Sequence, residues 1–267
     1  MKNLAVSKEL LPGVYCITDR MDMNMTLLVG SEKALLVDTG YGFDDLRDAV
    51  RRITALPLTV MNTHGHHDHA CGNNQFDRVY IAAADIALCG HYVSMSRPRI
   101  WRQAASREIF LEDWTQEEYI AGTCGNLYPF GEDTIDLGGL TARILEAPGH
   151  TPGSVAVYVP ERSLMLTGDD WNPTTWCFFP EAAGVPVLRK SIAGMLEKDF
   201  DWVLPPHDGK LWPRSALEAF YRATAPEFLK EHSEEAPPMY PGKRIRVIHP
   251  QPDCSLFFDA EKAFPDS

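Results

Sequence analysis

The chain has 267 residues, 45% of them hydrophobic, and a formal net charge of −12. This length suffices for one large domain with a sizeable core, and the acidic balance argues against nucleic acid as a partner, because phosphate neutralisation needs a basic surface. No apolar run approaches the roughly 18 residues of a transmembrane helix, and the first residues lack the apolar segment of a signal peptide, so we expect no membrane partner.

Six scattered cysteines form no Cys-x-x-Cys pair. In a chain of this size they are typical of reduced thiols, which favours a cytoplasmic location. There is no low-complexity tract, internal repeat or Ser/Gly linker. We therefore expect a single domain over residues 1–267, with a helical insertion near 90–130 and a C-terminal extension near 232–267.

Apolar runs in the first third of the chain predict β-strands at 26–29, 34–37, 58–61 and 79–82. Several of them are almost continuously apolar, which is typical of strands buried between layers. Between the second and third runs, Leu46, Val50 and Ile53 share one helical face, so the pattern predicts a helix over 43–53.

The loop after the third run contains five residues of metal-ligand types in six positions: His64, His66, His67, Asp68 and His69. Imidazole and carboxylate are the ligand types for zinc and similar divalent metals. An expression tag would lie at a terminus, and a surface loop has no evident need for four histidines. The sequence therefore predicts a metal site in a loop at a strand end.

The segment from about Gly90 to Phe130 contains several arginines, Arg97 and Arg102 among them, together with two tryptophans. One hypothesis is a lid whose arginines hold an anionic group of a substrate, such as a carboxylate or phosphate. The alternative is a solvated helical hairpin that packs its apolar residues on the body of the protein.

Three further candidate ligands each follow an apolar, strand-like run: His150, Asp169 and His207. Loops of this kind can gather at one edge of a sheet and form a site. The aromatic segment after Asp169 includes Trp171 and Trp176, which we interpret either as an apolar substrate wall or as core residues. Lys210 is expected either to pair with a substrate carboxylate or to lie in solvent.

The C-terminal third predicts one amphipathic helix, from Arg214 to about Lys230. Beyond it, residues 234–242 read as an exposed connection, 244–248 alternate like an edge strand, and 255–258 are apolar. We expect this tail either to pack on the domain or to cover a neighbouring subunit in a homodimer.

Taken together, these motifs resemble the metallo-β-lactamase fold superfamily. The hallmark His-x-His-x-Asp-His of the family is met by His64, His66, Asp68 and His69, and the matching residues further along the chain follow in the expected order: Asp38 before the hallmark, then His150, Asp169 and His207. The resemblance runs from about residue 14 to about residue 209. It implies an α/β fold, an αββα sandwich of two mixed β-sheets with helices on the outer faces.

The resemblance also implies a pair of Zn²⁺ ions, with iron or manganese as alternatives. His64, His66 and His150 would hold one metal, and Asp68, His69 and His207 the other, with Asp169 bridging them. Two such ions can lower the pKa of a shared water to about 7 and so supply hydroxide. Asp68 would help to orient that hydroxide, Asp38 would support the histidine loop, and His67 would point away from the metals.

The expected function is hydrolysis of a small-molecule ester, thioester, lactone or related bond. The chain lacks the cysteine that one class of β-lactamases carries in place of Asp169, and it lacks the tyrosine that follows this aspartate in acyl-homoserine lactonases. His66 argues against flavodiiron-type relatives, which carry glutamate there. Two alternatives stay open: a non-catalytic metal-binding or sensing protein, and an iron-dependent oxidative relative of the same fold.

Overall fold

The computed structural model describes residues 5–109 and 112–264. The chain divides into two compact units, Met1–Ala142 and Arg143–Ser267. Within the described ranges, every helix is too short or too polar to cross a lipid bilayer.

A seven-stranded mixed sheet forms most of the first unit. Its strands are β1 Val6–Leu11, β2 Val14–Thr18, β3 Asn24–Val29, β4 Ala34–Val37, β5 Leu58–Met61, β6 Val79–Ile81 and β7 Leu127–Pro129, followed in the chain by β8 Thr134–Asp136. The order is β1-β2-β3-β4-β5-β6-β7, antiparallel from β1 to β4 and parallel from β4 to β7. The parallel register pairs Val37 with Met61, so the residues after β4 and β5 emerge at the same edge.

Among the described residues of this unit, the α-helices are α1 Leu46–Arg51, α2 His67–Ala70, α3 Ile86–Ser106 and α4 Gln116–Ile120. The first is shorter than the predicted helix over 43–53, because the Asp45 side chain accepts from the Asp48 main-chain N–H and so caps a helix that begins at Leu46, three residues later than expected. Leu46 and Val50 are buried, as the apolar spacing predicts.

The strands of the second unit are β9 Thr141–Glu146, which begins at the end of the first unit, β10 Val155–Val159, β11 Leu164–Leu166, β12 Thr174–Cys177, β13 Trp202–Leu204, β14 Trp212–Pro213, β15 Glu234–Glu235, β16 Ile245–Gln251 and β17 Cys254–Asp259. One sheet has the order β14-β13-β11-β10-β9 and is mixed, since β11 and β13 run parallel while β10 is antiparallel to both β9 and β11. All five residues of β10 are buried.

A separate four-stranded sheet has the order β12-β17-β16-β15. Here β17 runs parallel to β12 and antiparallel to β16. The expectation of an edge strand over 244–248 is therefore wrong, because β16 has a neighbour on each side. The tail packs within the chain's own fold, on the segment that follows Asp169.

The helices of the second unit are α5 Val185–Leu196, α6 Arg214–Ala223, α7 Pro226–His232 and α8 Ala260–Ala263. The single helix predicted over 214–230 is thus two helices. Ala225 has an extended backbone with ψ 136°, and Pro226 is the first residue of α7. Proline cannot donate to the preceding turn and disfavours a helical residue before it, so the break falls here.

Mixed sheets with accompanying helices confirm the predicted α/β class. The four-stranded sheet built by the tail was not anticipated, because the sequence offers no signal for which strand β17 will pair with.

Candidate metal centre

The histidine loop begins where β5 ends, beside the end of β4. Asp38 follows β4 directly, in a left-handed conformation with φ 67°. Its carboxylate accepts from the Thr63 main-chain N–H at 2.7 Å and from the Thr63 hydroxyl at 2.9 Å. It also accepts from Nδ1 of His69 at 2.8 Å. A proton on Nδ1 leaves Nε2 of His69 as the nitrogen with ligand character, which is the arrangement that metal-binding histidines use.

The main chain of the loop is held as firmly as its side chains. Asn62 Nδ2 and Thr39 N–H both donate to the His69 carbonyl, each at 2.8 Å. The buried Asp85 accepts from the Gly65 N–H at 2.8 Å. A Cβ on Gly65 would lie 2.9 Å from the Cys89 nitrogen, so only glycine fits between the two neighbouring histidines and the start of α3.

The ligand-type side chains of this loop converge. One ring nitrogen of His64 and one of His66 lie within 4.8 Å of each other, and Nε2 of His69 lies 3.9 Å from an Asp68 oxygen. His64, His66 and His69 are almost completely buried, while the Asp68 side chain keeps 17% of its exposure. Closely packed, buried imidazoles beside a carboxylate are a donor set that fits zinc or a similar divalent ion.

Two side chains of α3, those of Tyr92 and Arg99, contact the histidine loop. The Tyr92 ring, on α3, packs edge-on against His66 with centroids 4.5 Å apart. His67 lies beside Arg99, whose guanidinium is 3.3 Å from its Nε2, and burial lowers the pKa of His67 to about 4. Neither Asp85 nor Tyr92 was among the predicted site residues, because no motif links them to the histidines.

The second unit brings its three candidate ligands together around Asp169. Nε2 of His207 lies 3.1 and 3.2 Å from the two carboxylate oxygens of Asp169, and Nε2 of His150 lies 3.5 Å from one of them. Asp169 is 9% exposed. A carboxylate between two imidazoles fits a ligand that can reach two metal ions.

Supporting contacts orient these three side chains. His150 Nδ1 donates to the Trp176 carbonyl at 2.6 Å, which directs Nε2 towards Asp169. The His150 N–H donates to Asp170, and the Asn172 side chain donates to Asp169 at 3.0 Å. Asp170 and Asn172 lie one and three residues after the predicted ligand Asp169, and that proximity in sequence was the signal available for finding them.

The remaining predicted site residues divide by burial. Trp171 is fully buried in the core of the second unit, where it packs edge-on against Trp212. Arg97 is 1% exposed, and its guanidinium donates to the carbonyls of Tyr119 and Cys71. These two residues have structural positions, so we do not carry them forward as substrate contacts. Trp176, Arg102 and Lys210 are exposed.

The family model of the metallo-beta-lactamase superfamily matches residues 19–169. Among curated proteins, the chain is similar to the acyl-coenzyme A thioesterase MBLAC2 of Bos taurus, with 26% identity over 192 residues, 62% of this chain and 69% of that protein.

Two solved structures share the fold. The sec-alkylsulfatase Pisa1 from Pseudomonas sp. has a TM-score of 0.61 and 16% identity over 84% of this chain, which spans 41% of that protein. The protein TTHA1623 in a di-iron-bound form has a TM-score of 0.55 and 23% identity, covering 81% of this chain and 96% of its own.

Proposed function

Because the chain belongs to the metallo-beta-lactamase superfamily, we propose that it is a metal-dependent hydrolase whose substrate is an acyl thioester. The observation that carries the hydrolase is the arrangement of Asp169 between His150 and His207, which fits a ligand serving two metals. The thioester class is supported by the similarity to an acyl-coenzyme A thioesterase over most of the length of that relative.

The proposed centre would hold two Zn²⁺ ions. His64, His66 and His150 would hold one and Asp68, His69 and His207 the other, with the Asp169 carboxylate available to both. The assignment is supported by the match to the family hallmark and by the donor set present in each unit. Iron and manganese accept the same ligands, and the di-iron form of one structural neighbour supports iron as the alternative metal.

When bound, the metals supply Lewis acidity and lower the pKa of water, which suits attack on a carbonyl carbon. The chain supplies orientation. Asp68 is the most accessible ligand of the histidine loop, so its carboxylate can accept a hydrogen bond from the attacking water and take up its proton. The hydrogen bonds of Asp38 and of the Trp176 carbonyl fix the rings of His69 and His150 before any substrate arrives.

The partner in this proposal is a small molecule. A homodimer, a cytoplasmic location, the absence of nucleic acid as a partner, and one domain over the whole chain stay predictions of the sequence. A role for Trp176 in substrate binding is developed below, whereas Arg102 and Lys210 keep the proposed role of pairing with an anionic substrate group.

Elemental analysis of the purified protein, combined with a panel of thioesters, lactones, β-lactams and sulfate esters, tests the proposal. We expect about two metal ions per chain and turnover of thioesters. His66→Ala and Asp169→Ala should each lower both metal content and turnover, whereas His232→Ala, a half-exposed histidine on α7, should change neither. Full metal content without turnover of any ester would instead favour a non-catalytic or oxidative role.

A further inference from the structure

An aromatic surface extends from the ring of His150 within the second unit. Phe179 packs edge-on against His150, with ring centroids 5.7 Å apart. The ring centroid of Trp176 lies 6.0 Å from that of Phe179, and the ring centroid of Tyr240, in the tail, lies 6.4 Å from that of Phe179. We call Trp176, Phe179 and Tyr240 the aromatic shelf.

Trp176, the most exposed member of the shelf, is accessible because of its position on β12. Along β12, Thr175 and Cys177 are buried while Thr174 and Trp176 are exposed, which is the two-residue alternation of a strand with one face outward. Trp176 retains 41% of its exposure although Phe178 and Phe179 lie close by. A large aromatic side chain left open next to a proposed metal ligand is typical of a binding surface.

The tail supplies a cavity that shares Tyr240 with the shelf. It has a volume of about 570 Å³ and is lined by residues 238–244 and Glu261. This volume lies within the range of small-ligand sites, and two prolines and Met239 supply the apolar part of a wall that also contains charged residues.

The two cations that line this cavity each have a carboxylate partner, and Glu261 adds a negative charge to the lining. The Lys243 ammonium bonds to the buried Asp259, and Arg244 lies 3.3 Å from Glu235. Paired cations attract an anionic group less strongly than unpaired ones, so the wall favours an apolar occupant over a phosphate or carboxylate.

We propose that the aromatic shelf and the tail cavity bind the acyl chain of the substrate and select its length. The inference rests on the proposed thioester hydrolysis. A thioester whose carbonyl reacts beside His150 would extend its chain over Phe179, and a longer chain would reach Trp176, Tyr240 and the cavity. An acetyl group is too short to leave the vicinity of His150, so it gains nothing from the shelf.

The test compares acetyl and long-chain acyl thioesters of one thiol. For Trp176→Ala and Tyr240→Ala we expect kcat/KM to fall about tenfold with the long-chain thioester and less than about twofold with the acetyl thioester. Each truncation removes apolar contacts that only the long acyl chain makes. Phe228→Ala is the matched control: Phe228 has the same 41% exposure as Trp176 but lies on α7, away from the shelf and the cavity lining. It should leave both values unchanged.

Equal losses with both chain lengths would overturn the inference, since they would mean that the aromatic residues act on the fold or on the metal ligands. Calorimetric binding of a non-hydrolysable long-chain thioether separates the two proposals. If the parent binds the thioether, Trp176→Ala weakens that binding and no thioester is hydrolysed, the shelf stands as an apolar-chain site and the proposed function fails. If the parent hydrolyses thioesters but the variants keep its affinity for the thioether, the shelf fails and the function stands.

Discussion

Asp38 joins two parallel strand ends through a single carboxylate. It accepts from the main chain and hydroxyl of Thr63 and from the ring of His69, so one side chain fixes both where the histidine loop starts and how its last histidine is turned. The φ of 67° is an uncommon conformation that aspartate tolerates better than most residues. Backbone strain at Asp38 is consistent with a residue whose conformation is set by its contacts with the histidine loop.

Asp38→Asn should therefore lower metal affinity without removing a metal ligand. The amide keeps one acceptor oxygen, while its NH₂ group faces donors where the second oxygen was. We expect a 10- to 100-fold weaker affinity, roughly the usual effect of removing the partner of a ligating histidine. Competition with a chelator measures it, and Asp48→Asn, which alters an exposed pair with Arg52, is the control. Unchanged affinity would limit Asp38 to shaping the backbone.

Arg97 contributes stability where the sequence suggested substrate recognition. Its guanidinium donates to the carbonyls of Tyr119 at 3.0 Å, Cys71 at 2.6 Å and Thr123 at 3.4 Å. Arg97→Leu removes all three hydrogen bonds, although the Tyr119 carbonyl still accepts from the Gly122 N–H. We expect the free energy of unfolding to fall by about 3 kcal/mol, at about 1 kcal/mol per bond. Arg102→Leu, on the exposed face of the same helix, should change it by less than about 0.5 kcal/mol.

Denaturant unfolding measures both variants. Because its role is structural, Arg97→Leu should keep the KM of the parent at temperatures where it remains folded. A raised KM with unchanged stability would restore the substrate-binding hypothesis for Arg97.

Residue type was enough to identify the metal-ligand candidates. It was not enough to tell which of the candidate substrate-binding residues are buried. Histidine and aspartate at these spacings have few structural uses, so the pattern alone singles them out. Arginine and tryptophan serve equally in cores and in binding sites. Only the fold distinguishes Trp171, packed against Trp212, from Trp176, five residues further on and exposed.

At the scale of elements, the tail matters because β17 is a central strand. It pairs with β12 on one side and β16 on the other, and β12 carries the Trp176 carbonyl that orients His150. Phe257 pairs with Trp176 in this register. The C-terminal strands therefore support a proposed metal ligand that lies about a hundred residues earlier in the chain.

Phe257→Pro tests this dependence. Proline cannot donate to a ladder, and in a central strand it should lower the free energy of unfolding by about 3 kcal/mol and reduce metal content. Glu235→Pro places the same residue in β15, the two-residue strand at the edge of the sheet, and should cost far less. Thermal unfolding and elemental analysis provide the two readouts. Equal effects of both prolines would show that β17 does not support the site.

The predicted strands follow dense apolar runs, and β4 and β5 match their predicted spans of 34–37 and 58–61. Helix ends were predicted poorly. The capping role of Asp45 and the break at Pro226 depend on single residues whose effect the apolar spacing does not register. Pairing of β12 with β17 joins distant segments, and local pattern contains no information on such partners.

For the whole molecule, one buried acid sets a pH dependence of stability. Burial raises the pKa of Asp19 to about 7 from 3.8, although three main-chain N–H groups, those of Met21, Met23 and Tyr41, donate to the carboxylate and act in the opposite direction. The folded state therefore binds the proton more tightly than the unfolded state does. This contribution to stability is complete below about pH 4 and is lost as the pH rises through about 7.

Asp19→Asn removes the titration. We expect urea unfolding, with a chelator present throughout, to show a smaller loss of stability between about pH 5 and pH 8 in the variant than in the parent. The amide is a poorer acceptor for Tyr41, so the variant should be less stable at both pH values, and only the difference between them is diagnostic. If both proteins lost the same stability over this pH range, a group other than Asp19 would be the cause of the pH dependence.

Metal removal acts on the largest scale, because the seven proposed ligands come from both halves of the sequence. A ligand that binds only the folded state stabilises it by RT ln(1 + [L]/Kd), about 4 kcal/mol at a thousand times Kd. A chelator should therefore lower the Tm of the parent and restored zinc should recover it, while His66→Ala and Asp169→Ala should show little of this shift.

Peptide-level hydrogen exchange then tests whether the seven residues bind metal together or as separate groups. If the seven residues act together, chelation will reduce protection both around His64–His69 and around Asp169 and His207, and Asp169→Ala will abolish the change in the histidine loop as well. A response confined to one of these segments would reduce the centre to a single-unit site and remove the basis for two bridged metals.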